Sequence, residues 1–302
     1  MSAQAGGAMA DPVRRTFEIE DPTNLYFIHP IAAWLVPIFA RLGLTPNLVS
    51  LTGMGCGILA GFAYYGYHAP WCAVVGFLLM LCWHVMDGAD GQLARLTRTY
   101  SELGKVLDGI CDYVTFTAVY VGLALAMASS LGGWVWWVVV VSGLAHALQS
   151  AVYEMQRQDY NFLGLGRQSA ALPQMQTKPK GFAGHLHHIY ARIQVWGAGG
   201  AVGFRRQFFS LLAAHPDQAD ALRAAYRRDF APVVRQWGIL GANYRTLGIF
   251  ITAIIKLPIL YFFFEIFGFT AVLGVLLVLQ LRHYRAFLAG ITNISAQDTA
   301  TN

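Results

Sequence analysis

The chain has 302 residues, 56% of them hydrophobic and only 12% charged, with a formal net charge of +5. A soluble domain carries about 25% charged residues, so this composition argues against a water-soluble fold. It points to an all-α integral membrane protein, and nucleic acid is not an expected partner.

Residues 1–11 are small and polar and precede charges rather than an apolar run. No cleavable leader is read there, and residues 1–23 are expected to form a flexible N-terminus. Residues 24–43, NLYFIHPIAAWLVPIFARLG, are apolar but hold Pro30 and Pro37 and end at Arg41 and Gly43. They predict a helix lying at the membrane interface, which feeds the first span through Thr45, Pro46 and Asn47. Apolar runs follow near 46–65, 70–86, 113–129, 133–153, 247–264 and 267–281. Several approach the ~20 residues that a helix needs to cross a bilayer's hydrocarbon core. Six transmembrane helices are therefore predicted, within one catalytic domain over 24–288.

In the first span Gly53, Gly57 and Gly61 share one helix face, which suits close packing within the chain, a dimer seam or a nearby substrate. Cys56, Cys72, Cys82 and Cys111 show no CxxC pairing and read as small buried hydrophobes. Trp134, Trp136 and Trp137 read as an interfacial aromatic belt. On the fourth run, His146, Gln149, Ser150, Tyr153, Glu154 and Arg157 recur at helical spacing and form a polar stripe. Polar groups at that depth point to a cavity, and these are candidates for binding an acceptor.

Residues 157–245 form a basic cytoplasmic insertion with 12 Lys or Arg against 4 Asp and no Glu. It includes Pro173 and Pro179, a Gly-rich stretch at 197–203 and a predicted helix around 216–236. Its length suits either a folded unit or a solvated loop that only fixes topology. His185, His187 and His188 lie within it, and by themselves they are too few for a metal site. Arg245, at the cytoplasmic start of the fifth run, and Lys256, well inside it before Pro258, are further candidates for contact with a phosphate or acceptor. Residues 289–302 form a C-terminal tail. The connections near 66–71, 129–133 and 264–268 hold no Lys or Arg, whereas the opposite ends of the runs are basic. The positive-inside rule then places both termini in the cytoplasm.

The chemistry concentrates in DGADGQLARLTRTYSELGKVLDGICDYV, residues 87–114. Asp87 and Asp90 are three apart, and Asp108 and Asp112 four apart, so each pair shares a helix face. The two helices are consecutive and antiparallel, so the carboxylates can converge near the membrane surface. Acids crowded there call for a compensating cation, and hard oxygen ligands suit Mg²⁺ or Mn²⁺.

This stretch resembles the CDP-alcohol phosphotransferases, whose signature is D-x2-D-G-x2-A-R-x8-G-x3-D-x3-D. Asp87, Asp90, Gly91, Ala94, Arg95, Gly104, Asp108 and Asp112 supply every fixed position. The resemblance implies that Asp87, Asp90 and Asp108 hold metal with Asp112 close by, so that all four are metal-site candidates, and that Asp112 is also the general base. It further implies that Gly91, Ala94, Arg95 and Gly104, with Asp90, Asp108, Thr45 and Asn47, face a CDP-linked donor. The stripe residues His146, Gln149, Tyr153, Glu154 and Arg157, with Arg245 and Lys256, remain the acceptor candidates. A homodimer and an active site facing the cytoplasm, in a bacterial inner membrane, are the associated expectations.

Two partitions are open. In the first, CDP-diacylglycerol is the donor and a polar alcohol such as inositol or inositol phosphate the acceptor. In the second, a CDP-linked head group passes to a lipid hydroxyl such as that of diacylglycerol or ceramide. Membrane prenyltransferases also bind Mg²⁺ and pyrophosphate through acidic helix ends, but they lack the Gly-x2-Ala-Arg and Gly-x3-Asp spacing. A transporter should show internal repeats, and none is seen between the halves.

Overall fold

The computed structural model describes residues 17–99, 101–167 and 201–301. The first sixteen residues of the N-terminal segment lie outside the described residues, as do Pro173, Pro179, His185, His187, His188 and most of the Gly-rich stretch. Among the described residues all regular structure is helical.

A π-turn at Asn24–Ile28 leads into α1, His29–Arg41. Gly43 (φ +69°) ends that approach. Thr45 then caps α2, Pro46–Tyr65, by accepting a hydrogen bond from the Leu48 amide at 3.3 Å, with Pro46 in the first helical position. This is the start signal legible in the sequence. α3 spans Pro70–Thr97 and is closed by Arg98 in the left-handed region. Ser101 caps α4, Glu102–Leu131, by accepting from the Gly104 amide at 2.9 Å. α5 spans Val135–Leu165, and its 31 residues extend about 46 Å, well beyond a hydrocarbon core of ~30 Å.

Among the described residues five helices are long and apolar enough to cross a membrane: α2, α3, Val106–Leu131 of α4, α5 and Ile259–Gly290. Their outer faces expose Phe62, Trp137 and Phe267 at 72%, 75% and 68%, among many Leu and Val side chains. So much exposed apolar surface suits lipid rather than water.

The fifth and sixth apolar runs divide at a different place from the one predicted. Residues 264–268 are not a connection but a π-turn within continuous helix between Ile259–Phe263 (α9) and Phe269–Thr301 (α10). The chain reverses instead at 255–258, after α8, Ala242–Ile254. Lys256 takes φ +62°, its amide bonds to the Ala253 carbonyl, and the Leu257 amide reaches back to the Thr252 carbonyl at 2.8 Å. Left-handed closure followed by Pro258 is a helix stop, whereas nothing in 264–268 removes a backbone donor. α8 has 13 residues and rises about 20 Å, short of a full span by itself. Lys256 thus sits at the end of the bundle expected to lack basic residues.

The glycine face of α2 is used within the chain. A Cβ on Gly53 would lie 2.9 Å from Met86 of α3, one on Gly57 would overlap Thr115 of α4, and one on Gly61 would lie 2.5 Å from the Ala118 carbonyl oxygen. Gly122 returns the contact onto Gly61. Because the Gly61 obstacle is backbone, Gly61→Ala must force α2 and α4 apart. A loss of about 1–3 kcal/mol is expected, read as a lower unfolding midpoint in detergent.

The described part of the insertion is folded. α6 (Ala201–Ala214) and α7 (Ala219–Gln236) pack on the ends of α5 and α10 around Tyr160, Phe204, Phe208, Tyr226, Phe230, Trp237, Tyr284 and Phe287. Arg205 pairs with the buried Asp159 of α5. The segment before α1 is tied to this cap, since Tyr160 donates to Glu18 and Arg235 to the Glu18 carbonyl at 2.7 Å.

Candidate active site

α3 and α4 meet at the end of the bundle nearest the cap. Their helical spacing delivers what the sequence implied: one ligand oxygen each from Asp87, Asp90 and Asp108 lies within 4.8 Å of the others. This is a set of hard oxygen donors from two helices, and it fits a divalent cation. Asp90 is the most enclosed, and Ser50 of α2 donates a hydrogen bond to its carboxylate. Ser50 escaped notice in the sequence because it is one hydroxyl in an apolar helix, 40 residues from its partner. Partners that orient a metal's ligands commonly govern affinity, so Ser50→Ala should weaken Mn²⁺ binding roughly 10–100-fold by isothermal titration.

Asp112 lies one turn beyond Asp108 on α4 and lines, with Asp87 and Asp108, a cavity of about 700 Å³. The opposite wall is the α5 stripe: His146, Ser150, Tyr153, Glu154 and Arg157 all face this space. Glu154 accepts from Arg157 at 3.1 Å and from Gln158 at 3.3 Å. Asn243 donates to Asp21 at 3.1 Å and to Asn24 at 2.8 Å, and all three line the cavity. No local pattern in the sequence marks these contacts, because they join segments more than 200 positions apart.

Of the residues expected to face the donor, Gly91, Ala94, Arg95, Gly104, Thr45 and Asn47 do not line this cavity. A Cβ on Gly91 would lie 3.6 Å from the Arg95 guanidinium, and one on Gly104 would lie 3.5 Å from Asn47 Oδ1. Small residues here leave room beside Arg95 and Asn47. Ala94 is half-buried on the same turn, and Thr45 is committed to capping α2. Arg95 also borders a smaller cavity of about 160 Å³ with Glu20, His29 and Gln92.

Three acceptor candidates lie off the cavity wall. Gln149 is fully buried and donates to the Glu265 carbonyl at 3.0 Å and to Thr270 at 3.1 Å. Arg245 is fully buried, with Nε 3.2 Å and 3.3 Å from the two Glu265 oxygens, Nη2 2.7 Å from Gln149 Oε1 and Nη1 on the Leu240 carbonyl. Engaging an acceptor would require breaking these bonds. Lys256, expected well inside a span, is exposed in the 255–258 turn, beside the end of the core formed by Tyr67, Met127 and Ala253. The aspartates are at the other end. His84 of α3 does line the cavity, and its Nε2 lies 2.9 Å from Thr246 Oγ1 of α8.

The sequence profile of the CDP-alcohol phosphatidyltransferase family matches residues 43–172, which contain the aspartate cluster, Asp112 and the stripe. Residues 43–172 form a CDP-alcohol phosphatidyltransferase domain. Relatives over this domain include the archaetidylinositol phosphate synthase of Pyrococcus horikoshii, 30% identical over 98 residues, which are 32% of this chain and 47% of that protein. Cholinephosphotransferase 1 of Homo sapiens is 26% identical over 126 residues, 39% of this chain and 29% of that protein. The inner membrane protein YnjF of Escherichia coli is 28% identical over 140 residues, 44% of this chain and 65% of that protein. The chain spans 22% to 65% of the length of the curated relatives it matches. The α6–α7 cap lies outside the matched family domain.

Proposed function

We propose that the chain is a metal-dependent CDP-alcohol phosphotransferase of phospholipid synthesis. In the favoured reading CDP-diacylglycerol is the donor and a polar alcohol such as inositol or inositol phosphate is the acceptor. The acceptor oxygen forms a bond to the donor's β-phosphorus as the bond to CMP breaks, and CMP leaves. The observation that carries this reading is the single cavity whose walls are the aspartates on one side and the His146–Arg157 stripe on the other.

Asp87, Asp90 and Asp108 would hold Mg²⁺ or Mn²⁺, which when bound offsets pyrophosphate charge. Arg95, beside Gly91, adds a guanidinium whose planar donors suit phosphate oxygens. Asp112, close to the cluster yet outside the triad, takes the proton of the acceptor hydroxyl as attack proceeds. The stripe holds the alcohol opposite the donor, and the Asp21–Asn24–Asn243 contacts tie the segment before α1 to the start of α8 at the cavity wall.

A second reading is supported by the likeness to a cholinephosphotransferase: a CDP-linked head group would pass to a lipid hydroxyl. In either case we infer that α1 lies at the interface, that α8 with α9–α10 completes six spans, and that both termini and the site face the cytoplasm. A bacterial inner membrane and a homodimer complete the reading, supported by the family resemblance. A panel assay separates the partitions. Purified protein receives CDP-diacylglycerol with polar alcohols, then CDP-choline and CDP-ethanolamine with diacylglycerol or ceramide, and CMP is measured. CMP from the first set alone supports the favoured reading, and CMP from the second set alone would replace it.

A further inference from the structure

A line of buried side chains runs from the Arg245–Glu265 pair to the cavity, with the buried Ser142 hydroxyl beside Tyr120. Glu265 is completely buried against the Arg245 guanidinium, whose Nε lies 3.2 Å and 3.3 Å from its two oxygens, so both oxygens serve as acceptors. Tyr261 Oη therefore donates to Glu265 at 2.6 Å. Tyr120 Oη lies 2.9 Å from Tyr261 Oη, whose hydrogen is committed, so Tyr120 is the donor. His146 Nδ1 lies 3.1 Å from Tyr120 Oη, whose hydrogen is now committed too, so Nδ1 carries the proton and donates. A second proton on the ring would add positive charge to the interior near Arg245. The imidazole is thus the neutral Nδ1–H tautomer, with the Nε2 lone pair left for the cavity.

The position of that lone pair matters. Phe116 and Tyr120 follow Asp112 along α4 at four-residue steps, each rising about 6 Å. His146 touches both, with its ring 4.6 Å from that of Phe116. It therefore sits deeper in the cavity than the base. The cavity lining near it includes Trp83, Phe116, Gly143 and Ala147, with the polar His84, Thr117 and Ser150 on the same cavity. A ligand O–H reaching this depth can donate to the imidazole.

We propose that His146 Nε2 accepts a hydrogen bond from a second, non-reacting hydroxyl of the acceptor alcohol. The substrate is then a polyhydroxylated head group rather than a lone lipid hydroxyl. Tyr120, Tyr261 and Glu265 are positioning residues that set the histidine tautomer. The substrate assignment rests on Asp112 being the base of a CDP-alcohol phosphotransferase, whereas the tautomer does not.

Two readouts test it. In full-length protein carrying ¹⁵N-histidine in nanodiscs, with His146→Asn assigning the resonances, His146 should show a pyrrole-type Nδ1 and a pyridine-type Nε2. In Tyr261→Phe the Tyr120 hydrogen is released to turn onto Nδ1, and the pattern should invert. A wild-type Nε2–H pattern, or one that Tyr261→Phe leaves unchanged, would overturn the relay. In CMP release from CDP-diacylglycerol with myo-inositol, inositol 1-phosphate or glycerol 3-phosphate, His146→Asn should raise the KM of the accepted polyol roughly tenfold while the donor KM stays put. A change in donor KM alone would assign the lone pair to the cytidine ribose. An unchanged acceptor KM, or turnover confined to diacylglycerol as acceptor, would likewise overturn the subsite. Absence of turnover with every CDP-linked donor would sink the functional reading and the subsite with it, while the nitrogen pattern would still decide the relay.

Discussion

Asp112→Asn is expected to give a folded protein that releases CMP roughly 10²–10⁴-fold more slowly, the range for losing a positioned proton acceptor. Asparagine keeps the shape of the side chain but cannot take a proton from the acceptor hydroxyl. Asp112 stands outside the triad of Asp87, Asp90 and Asp108 whose oxygens converge, so Mn²⁺ binding should survive the change. The fall should therefore appear in kcat, with the KM of the CDP-linked donor little altered. Asp90→Asn should behave differently, because it weakens an oxygen donor of the cluster itself. Parallel titrations of metal and donor on the two variants separate the roles. Equal loss of metal binding in both would place Asp112 among the ligands and remove its separate task.

Arg245→Ala is expected to cost about 3–5 kcal/mol, the penalty for leaving a buried charge without its partner. The Arg245 and Glu265 side chains are both 0% exposed, so Glu265 would be stranded in an apolar interior. The same change removes the donor to the Leu240 carbonyl and the donor to Gln149, the second of which joins α8 to α5. The double variant Arg245→Met with Glu265→Gln removes both charges and should recover much of the loss. Thermal unfolding in detergent, followed by size-exclusion recovery, reads the difference. A single variant as stable as the wild type would mean that this pair does not hold the helices together.

The chemistry was more legible in the sequence than its supports. The spacing of Asp87 with Asp90, and of Asp108 with Asp112, is local, and a helix converts local spacing directly into a shared face. The same holds for Gly53, Gly57 and Gly61, and for the stripe members that line the cavity. Ser50 on Asp90 and Asn243 on Asp21 were hidden, because each joins helices whose pairing no local pattern records. Arg245 read as a phosphate contact because its partner Glu265 lies beyond a reversal that hydropathy misplaced. Apolar residues continue through 259–281, and the signal for the turn was Pro258 after a lone lysine. The cap had a signal as well. Phe204 with Phe208, and Tyr226 with Phe230, are spaced four apart, but the arginines between them leave a folded unit and a solvated loop equally open in the sequence.

The central claim is that the aspartate cluster drives metal-dependent release of CMP from a CDP-linked donor. The most direct test is to strip purified protein with a chelator, supply a radiolabelled CDP-linked donor and its alcohol, and titrate Mg²⁺ or Mn²⁺ back. One CMP should appear per lipid product, none without metal, with activity rising with metal in the wild type and remaining near background in Asp90→Asn. CMP release that ignores the chelator, or no metal-dependent release from any CDP-linked donor, would contradict it.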